Sequence, residues 1–285
     1  KRSVGSYEAL LHDPEIDAVY IPLPPSLHGE WTVRAAKAGK HVLCEKPLAL
    51  NVNQAREMRR VCLEHEVQLM DGVMWYHHPR AKKILDLIRS DSLGEHRRLT
   101  SAFTFCWDTI PENDLRLQRN LGGGSLGDLG WYCIGAALWA FNELPQKVFG
   151  TARPYNDVDL NFSGIMWFSK DRIASFDCGF DVSMRKWFEL AGTKASLVCD
   201  DFTRPWENTT PQFRITDSQG NSTKYETENP LQETCMINHF CKIIRSGHLE
   251  QQWPDLGINT QRVLNALDYS ARTETVVNLA DFFPK

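Results

Sequence analysis

The chain has 285 residues, 42% hydrophobic and 24% charged, with 32 basic against 36 acidic side chains and a formal net charge of -4. That length allows a sizeable core in one large or two ordinary domains, and the near-balanced charge implies no basic surface for nucleic acid or an anionic membrane. No apolar run approaches the ~20 residues of a membrane span, and the N-terminal segment has no apolar signal core, so a cytoplasmic protein is expected.

In chain order, Ser6 is read as the N-cap of a short helix ending at Leu11. Residues 18–23 form an apolar strand, 27–40 a helix stopped by Gly39, and 41–44 a second strand. Asn51 caps a helix running to about His65, and 67–70 begins a third strand. Strand and helix alternating at this spacing predict βαβ units and a parallel sheet. Beyond about residue 78 the grammar changes. A helix over 79–90 and a strand over 97–107 precede the glycine run Gly122-Gly123-Gly124, which opens a helix to about Asn142. Strand signals follow at 146–153, 160–169, 172–182, 185–191 and 195–200, with a hairpin across 212–226 and helices over 230–246 and 257–274. Strands in close succession predict a mostly antiparallel sheet. The fold class is therefore α/β plus α+β: an incomplete Rossmann-type parallel sheet, residues 1–78, followed by a domain with a large open sheet, residues 79–285.

Eight cysteines include no C-x-x-C pair and several lie in apolar runs, so free buried thiols are expected. Nine histidines form no spaced ligand cluster, so no metal is expected.

One tripeptide stands out, Glu45-Lys46-Pro47. Ligands of open parallel sheets bind beyond the carboxyl ends of the strands, and Lys46 stands at such an end. Pro47 biases it toward extended geometry. An isolated Lys-Pro pair reads first as a surface turn. Asp128 and Tyr132 are four apart on a predicted helix and share a face; on an arbitrary helix they are a surface charge and a core aromatic. A nucleotide-binding half normally opens with a strand, a glycine-rich turn and a helix. Here the chain opens at what reads as a later helix, and the glycine run lies too far beyond strand 97–107 to serve. The expectation is N-terminal truncation.

Four stretches, taken together and in order, resemble the Gfo/Idh/MocA oxidoreductase family, which includes glucose-fructose oxidoreductase and dihydrodiol dehydrogenase. They are Asp17 to Pro24 with Ser26 and His28, Gly39 to Pro47, Met70 to Pro79, and Gly122 to Tyr132. The dihydrodiol and glucose-fructose enzymes usually carry arginine at the position of Tyr76, and inositol dehydrogenase relatives carry histidine at that of Tyr132.

The resemblance implies NAD(P)-dependent oxidation or reduction of a sugar, polyol or cyclic diol, and a homodimer formed through the C-terminal sheet. The last helix would pack back on the first domain. The choice between NAD and NADP, and the substrate, stay open. Tyr132 would be the acid/base, Lys46 its cationic partner, and Asp128 the group that orients substrate or Lys46. A free tyrosine titrates near pH ~10, and a neighbouring ammonium and oxidised nicotinamide would lower that value. Cofactor contacts are expected from Pro22, Leu23, Pro24, His28, Glu45, Lys46 and Trp75, and substrate contacts from Lys46, Arg116, Asp128 and Tyr132.

Bland readings stand beside these. Glu45 holds a ribose or caps a backbone group. His28 lines the nicotinamide side or merely starts a helix. His77 and His78 touch substrate or sit on a surface loop. Asn113, Asp114 and Arg116 bind hydroxyls or form a solvated loop, and Trp131, Trp139 and Trp167 read as core. The alternative function is a truncated, non-catalytic relative that binds a partner or dimerises; a sugar-binding module is a third.

Overall fold

In the computed structural model, which describes residues 3–111 and 113–282, three short apolar runs become strands β1 (Ala18–Ile21), β2 (His41–Cys44) and β3 (Leu69–Asp71). They pair in parallel in the order β1-β2-β3. Burial on both faces explains why β2 and β3 read as continuous apolar runs rather than alternating ones. Helix α1 (Tyr7–Leu11) is capped by the Ser6 hydroxyl, which accepts from the Ala9 amide. Helix α2 (Pro25–Lys37) joins β1 to β2, and α3 (Val52–Glu64) joins β2 to β3. The Asn51 side chain accepts from Gln54 N at 3.0 Å and caps α3. Helix α2 starts two residues earlier than expected because Pro25 suits the first helical turn. The first two and last three residues of the expected domain ranges, with Glu112, lie outside the described residues.

A turn of 3-10 helix at Met74–His77 leads into α4 (Pro79–Arg89) and the second sheet. Its strands are β4 (His96–Cys106), β5 (Lys147–Tyr155), β6 (Val158–Trp167), β7 (Ile173–Gly179), β8 (Asp181–Gly192), β9 (Ala195–Cys199), β10 (Gln212–Asp217), β11 (Ser222–Glu226) and β12 (Val277–Asn278). They lie in the order β11-β10-β9-β8-β4-β7-β6-β5-β12. All neighbours are antiparallel except β4 and β7. The two-residue β12 and the helix α8 (Leu279–Phe282) carry too little pattern to be seen in sequence.

Alternation along β6 shows which face is covered. Val158, Leu160, Phe162 and Met166 are buried, while Ser163 and Ile165 point outward and are exposed. Helices α5 (Trp131–Phe141), α6 (Gln232–Ser246) and α7 (Gln252–Thr273) complete the fold, with α5 and α7 packing on the buried face. Helix α7 approaches β5 so closely that a Cβ at Gly150 would lie 2.8 Å from the Leu267 carbonyl oxygen. Ser270 on α7 accepts the Gly150 amide at 3.0 Å. The same helix reaches the first sheet: Asn265 Oδ1 accepts the Val52 amide at 3.0 Å, and Arg59 pairs with Asp255 at 2.9 Å. No helix among the described residues is long and apolar enough to cross a membrane.

Arg80 on α4 is 3% exposed and pairs with Asp201, 4% exposed, beyond β9. Its second guanidinium nitrogen donates to the Asp201 carbonyl at 2.9 Å, and Asp201 accepts the Trp206 amide at 2.9 Å. Removing one partner strands a buried charge. Arg80→Ala is expected to lower unfolding free energy by about 3–5 kcal/mol, read by urea denaturation. A loss under about 1 kcal/mol would mean that solvent reaches the abandoned carboxylate.

Candidate active site

The loops after β1 and β2 meet the glycine loop of the second domain in a cleft of about 240 Å³. Pro22, Leu23, Pro24, Pro25, Glu45, Lys46, Pro47, Leu115, Arg116, Gly122, Gly123 and Asp128 line it. Lys46 follows directly on the end of β2 through Glu45, and the Lys46–Pro47 peptide is cis.

The glycine run is steric and conformational in origin. Gly122 and Gly124 have φ of 91° and 111°, where a side chain is strained, and a Cβ at Gly123 would sit 2.6 Å from the Arg116 carbonyl oxygen. The Gly124 amide donates to that same carbonyl at 2.8 Å, so the loop folds on itself and carries Arg116 into the cleft. Asp159 accepts from the Ser125 hydroxyl and, at 2.7 Å, from the Leu126 amide, which seats the following helix. That helix begins with a widened π-type turn over Leu126–Gly130 before α5. Such turns depart from the regular hydrogen-bond ladder and recur at functional sites.

Asp128 sits in the widened turn. One carboxylate oxygen pairs with the Lys46 ammonium, and the other accepts from Arg116 Nε at 2.9 Å. Lys46 also donates to the Asp128 carbonyl at 3.0 Å, and Asp114 holds Arg116 from its far side at 3.2 Å. Burial disfavours the Lys46 ammonium, yet Asp128, Tyr132 and Glu45 outweigh it and raise its pKa. Burial likewise pushes the Asp128 carboxyl up, and Lys46 and Arg116 bring it below its ordinary value. Both therefore stay charged at neutral pH.

Tyr132 lies one turn further on, with Lys46 Nζ 5.1 Å from its ring centroid and Phe103 edge-on to it at 5.2 Å. The expected downward pKa shift is not found. Burial pushes the phenol up, and although Lys46 pulls it down, Asp128, Glu45 and Asp71 push it up again. Among the protein's own groups Tyr132 stays a protonated phenol.

The expected cofactor residues divide. Pro22, Leu23, Pro24, Glu45 and Lys46 line the cleft. Glu45 also caps a backbone group, accepting the Lys46 amide at 3.2 Å, and it accepts from the Tyr20 hydroxyl. His28 does not face the cleft. It is fully buried, its ring nitrogens 2.9 Å from the Pro47 carbonyl and 2.7 Å from the Leu23 carbonyl, so it braces the two loops from behind. Trp75 is also a core residue, 3% exposed and packed on Tyr76, Trp139 and Phe202. His78 is buried and accepts the Arg80 amide at 3.1 Å as the N-cap of α4, while His77 pairs with His239 away from the cleft. Asn113 stays at the exposed edge of its loop. Trp131 is core.

Sequence reasoning missed Asp71, at the carboxyl end of β3 opposite Cys44. It is 3% exposed. Burial raises its pKa to about 7, offset in part by the Trp131 indole that donates to it and reinforced by the Glu45 charge. An aspartate ending a buried strand beside a glycine is the only signal it leaves in the sequence.

Residues 2–73 match the GFO/IDH/MocA model described as an oxidoreductase family with an NAD-binding Rossmann fold, and residues 81–198 match the GFO/IDH/MocA C-terminal domain. The chain belongs to the Gfo/Idh/MocA oxidoreductase family. An uncharacterized oxidoreductase of Rhizobium meliloti is 35% identical over 95% of this chain and 82% of its own length. The D-xylose 1-dehydrogenase (NADP(+)) 2 of Haloferax volcanii is 31% identical over 96% of this chain and 84% of its own. Among solved structures, a 3-ketoreductase from Actinomadura kijaniata in complex with NADP and TDP-benzene superposes with a TM-score of 0.86 at 29% identity, covering 94% of this chain and 82% of that one. This Gfo/Idh/MocA chain thus carries both family domains, with the cleft at their junction.

Asp71 gives a pH prediction with a definite sign. Its folded pKa is raised, so between about pH 4 and 7 the folded state binds the extra proton, and stability falls as pH rises through that window. Asp71→Asn should flatten that fall and leave the variant more stable than the parent above pH 7, by at most about 4 kcal/mol. Melting temperatures recorded from pH 4 to 8 test it; parallel curves for parent and variant would refute it.

Proposed function

We propose that this chain is an NAD(P)-dependent oxidoreductase that moves hydride between nicotinamide and a carbinol carbon of a sugar, polyol or cyclic diol. The observation that carries this reading is the Lys46 ammonium, joined to Asp128 and 5.1 Å from the Tyr132 ring, at the strand-end cleft.

The cleft's residues fit the nicotinamide end of the cofactor. Pro22, Leu23 and Pro24 offer an apolar wall to one face of a planar ring, while Lys46, Asp128 and Arg116 supply the polar side. When bound, the nicotinamide supplies or accepts the hydride. The chain's own groups handle charge and protons. Lys46 stabilises negative charge developing on the substrate oxygen. Tyr132 Oη holds the proton that this oxygen gains on reduction and loses on oxidation. Asp128 fixes the ammonium, and Arg116 fixes Asp128. The raised Tyr132 pKa favours the acid role, so carbonyl reduction should persist at neutral pH and fade on the alkaline side, while alcohol oxidation should rise with pH.

Following nicotinamide fluorescence during titration with NADPH or NADH tests cofactor binding. Tyr132→Phe should lower kcat by about 100-fold or more with cofactor affinity nearly unchanged. An unaffected rate would remove Tyr132 from proton transfer. Binding of neither cofactor to this chain, nor to an N-terminally extended one, would sink the oxidoreductase reading.

The open face of the large sheet, which carries the exposed Ile165 with Trp167 and Trp187, is the proposed homodimer surface. Ile165→Glu should convert a dimer to a monomer in sedimentation velocity; a parent that sediments as a monomer would remove this surface from consideration.

A further inference from the structure

A second cavity, about 380 Å³, lies at the far end of α5 and shares no lining residue with the Lys46 cleft. Its walls are aromatic. Tyr76 lies 6.3 Å from Trp139 and 6.1 Å from Trp253, ring centroid to centroid, and the His77 and His239 rings pack on Trp253 at 4.5 and 5.4 Å. Leu85, Leu138 and Leu256 complete the apolar lining. This size and lining are those of a small-molecule site.

Polar groups at the cavity are unbalanced in one direction. Lys82 and Arg89, one above the other on α4, are exposed at its mouth, and their side chains have no ion pair or hydrogen bond among the described residues. No carboxylate lines the cavity. Glu250, just before α7, is already engaged by the Trp253 indole at 2.9 Å and the Gln252 amide at 2.8 Å, and Asp86, one turn from both Lys82 and Arg89 on α4, pairs with neither among the described residues. Inside, His77 Nδ1 and His239 Nδ1 are 2.8 Å apart and share one proton, which leaves His77 Nε2 buried without a partner. Either tautomer strands a polar atom there, and such atoms are rare unless something meets them.

We infer that this cavity is a second ligand site, built for a planar aromatic carboxylate. The ring would lie against the aromatic wall that Tyr76 forms with Trp139 and Trp253, where flat apolar faces and π contacts reward planarity. Its carboxylate would meet Lys82 and Arg89, whose side chains no ion pair holds. A neutral aromatic gains only the first of these, and an aromatic cation is repelled by the second. Trp139 stands seven residues from Tyr132 on the same helix, about 10 Å along its axis, so an occupant here touches the element that carries the proposed proton donor. The inference does not rest on the proposed redox activity.

Titration calorimetry of the whole chain with 2-naphthoate tests it, with 2-naphthylmethanol as the uncharged counterpart. Saturable binding of the acid is expected, weakened about tenfold or more by Lys82→Glu combined with Arg89→Glu. Both are surface positions, so the fold is retained, and thermal melting checks this. The alcohol should bind at least about tenfold more weakly than the acid, and Lys46→Ala should leave affinity for the acid unchanged. No saturable binding, equal affinity for acid and alcohol, or indifference to charge reversal would each overturn the inference. Loss of binding in Lys46→Ala would also overturn it, by assigning the acid to the catalytic cleft.

Discussion

A half-buried ammonium–carboxylate pair organises this molecule. Lys46 comes from the end of a parallel strand in one sheet and Asp128 from a helix entry in the other, 82 residues apart in the chain. Neither charge sits well alone in a partly desolvated cleft, because taking a lone ion out of water costs up to several kcal/mol. Each is therefore kept where it is by the other. The surrounding architecture can be read as what is needed to make them meet: a strand that ends on time, a glycine loop that folds tightly, a carboxylate at Asp159 that seats the helix start, and a widened turn at Leu126–Gly130.

The two sheets are joined at a second place, along helix α7. Helix α7 lies close over β5, where Gly150 leaves room, and its other flank takes the Val52 amide and Arg59. His28 works on a smaller scale in the same way, lying between the loops that present Leu23 and Pro47. The cleft is shaped by groups that never face it.

Much of this was legible in the residues. The strand over 41–44, the Asn51 cap and the switch from parallel to antiparallel grammar near residue 78 all follow from local pattern, because caps and periodicity are local physics. The meeting of Lys46 with Asp128 was legible only through family resemblance, since no local rule brings such distant residues together. What was not legible depended on third parties. A histidine at a helix start looks alike whether it faces a cleft or two carbonyls. Trp75 reads as a platform until Trp139 and Phe202 arrive against it. The upward shift at Tyr132 comes chiefly from burial, which Glu45 and Asp71 reinforce from the ends of two different strands. The widened turn is invisible in Leu-Gly-Asp-Leu-Gly, whose composition suits an ordinary helix entry equally well.

The Asp128 carboxylate has one oxygen committed to Lys46 and the other to Arg116. Each oxygen keeps a lone pair beyond that partner, and the ammonium, already on the Asp128 carboxylate and carbonyl, keeps one hydrogen. What docks against both gives a hydrogen to the carboxylate while taking one from the ammonium. A hydroxyl does both with a single atom. An anion can only take and a cation can only give, so each would meet one member of the pair and miss the other. The site selects for amphoteric oxygen before any question of molecular shape arises.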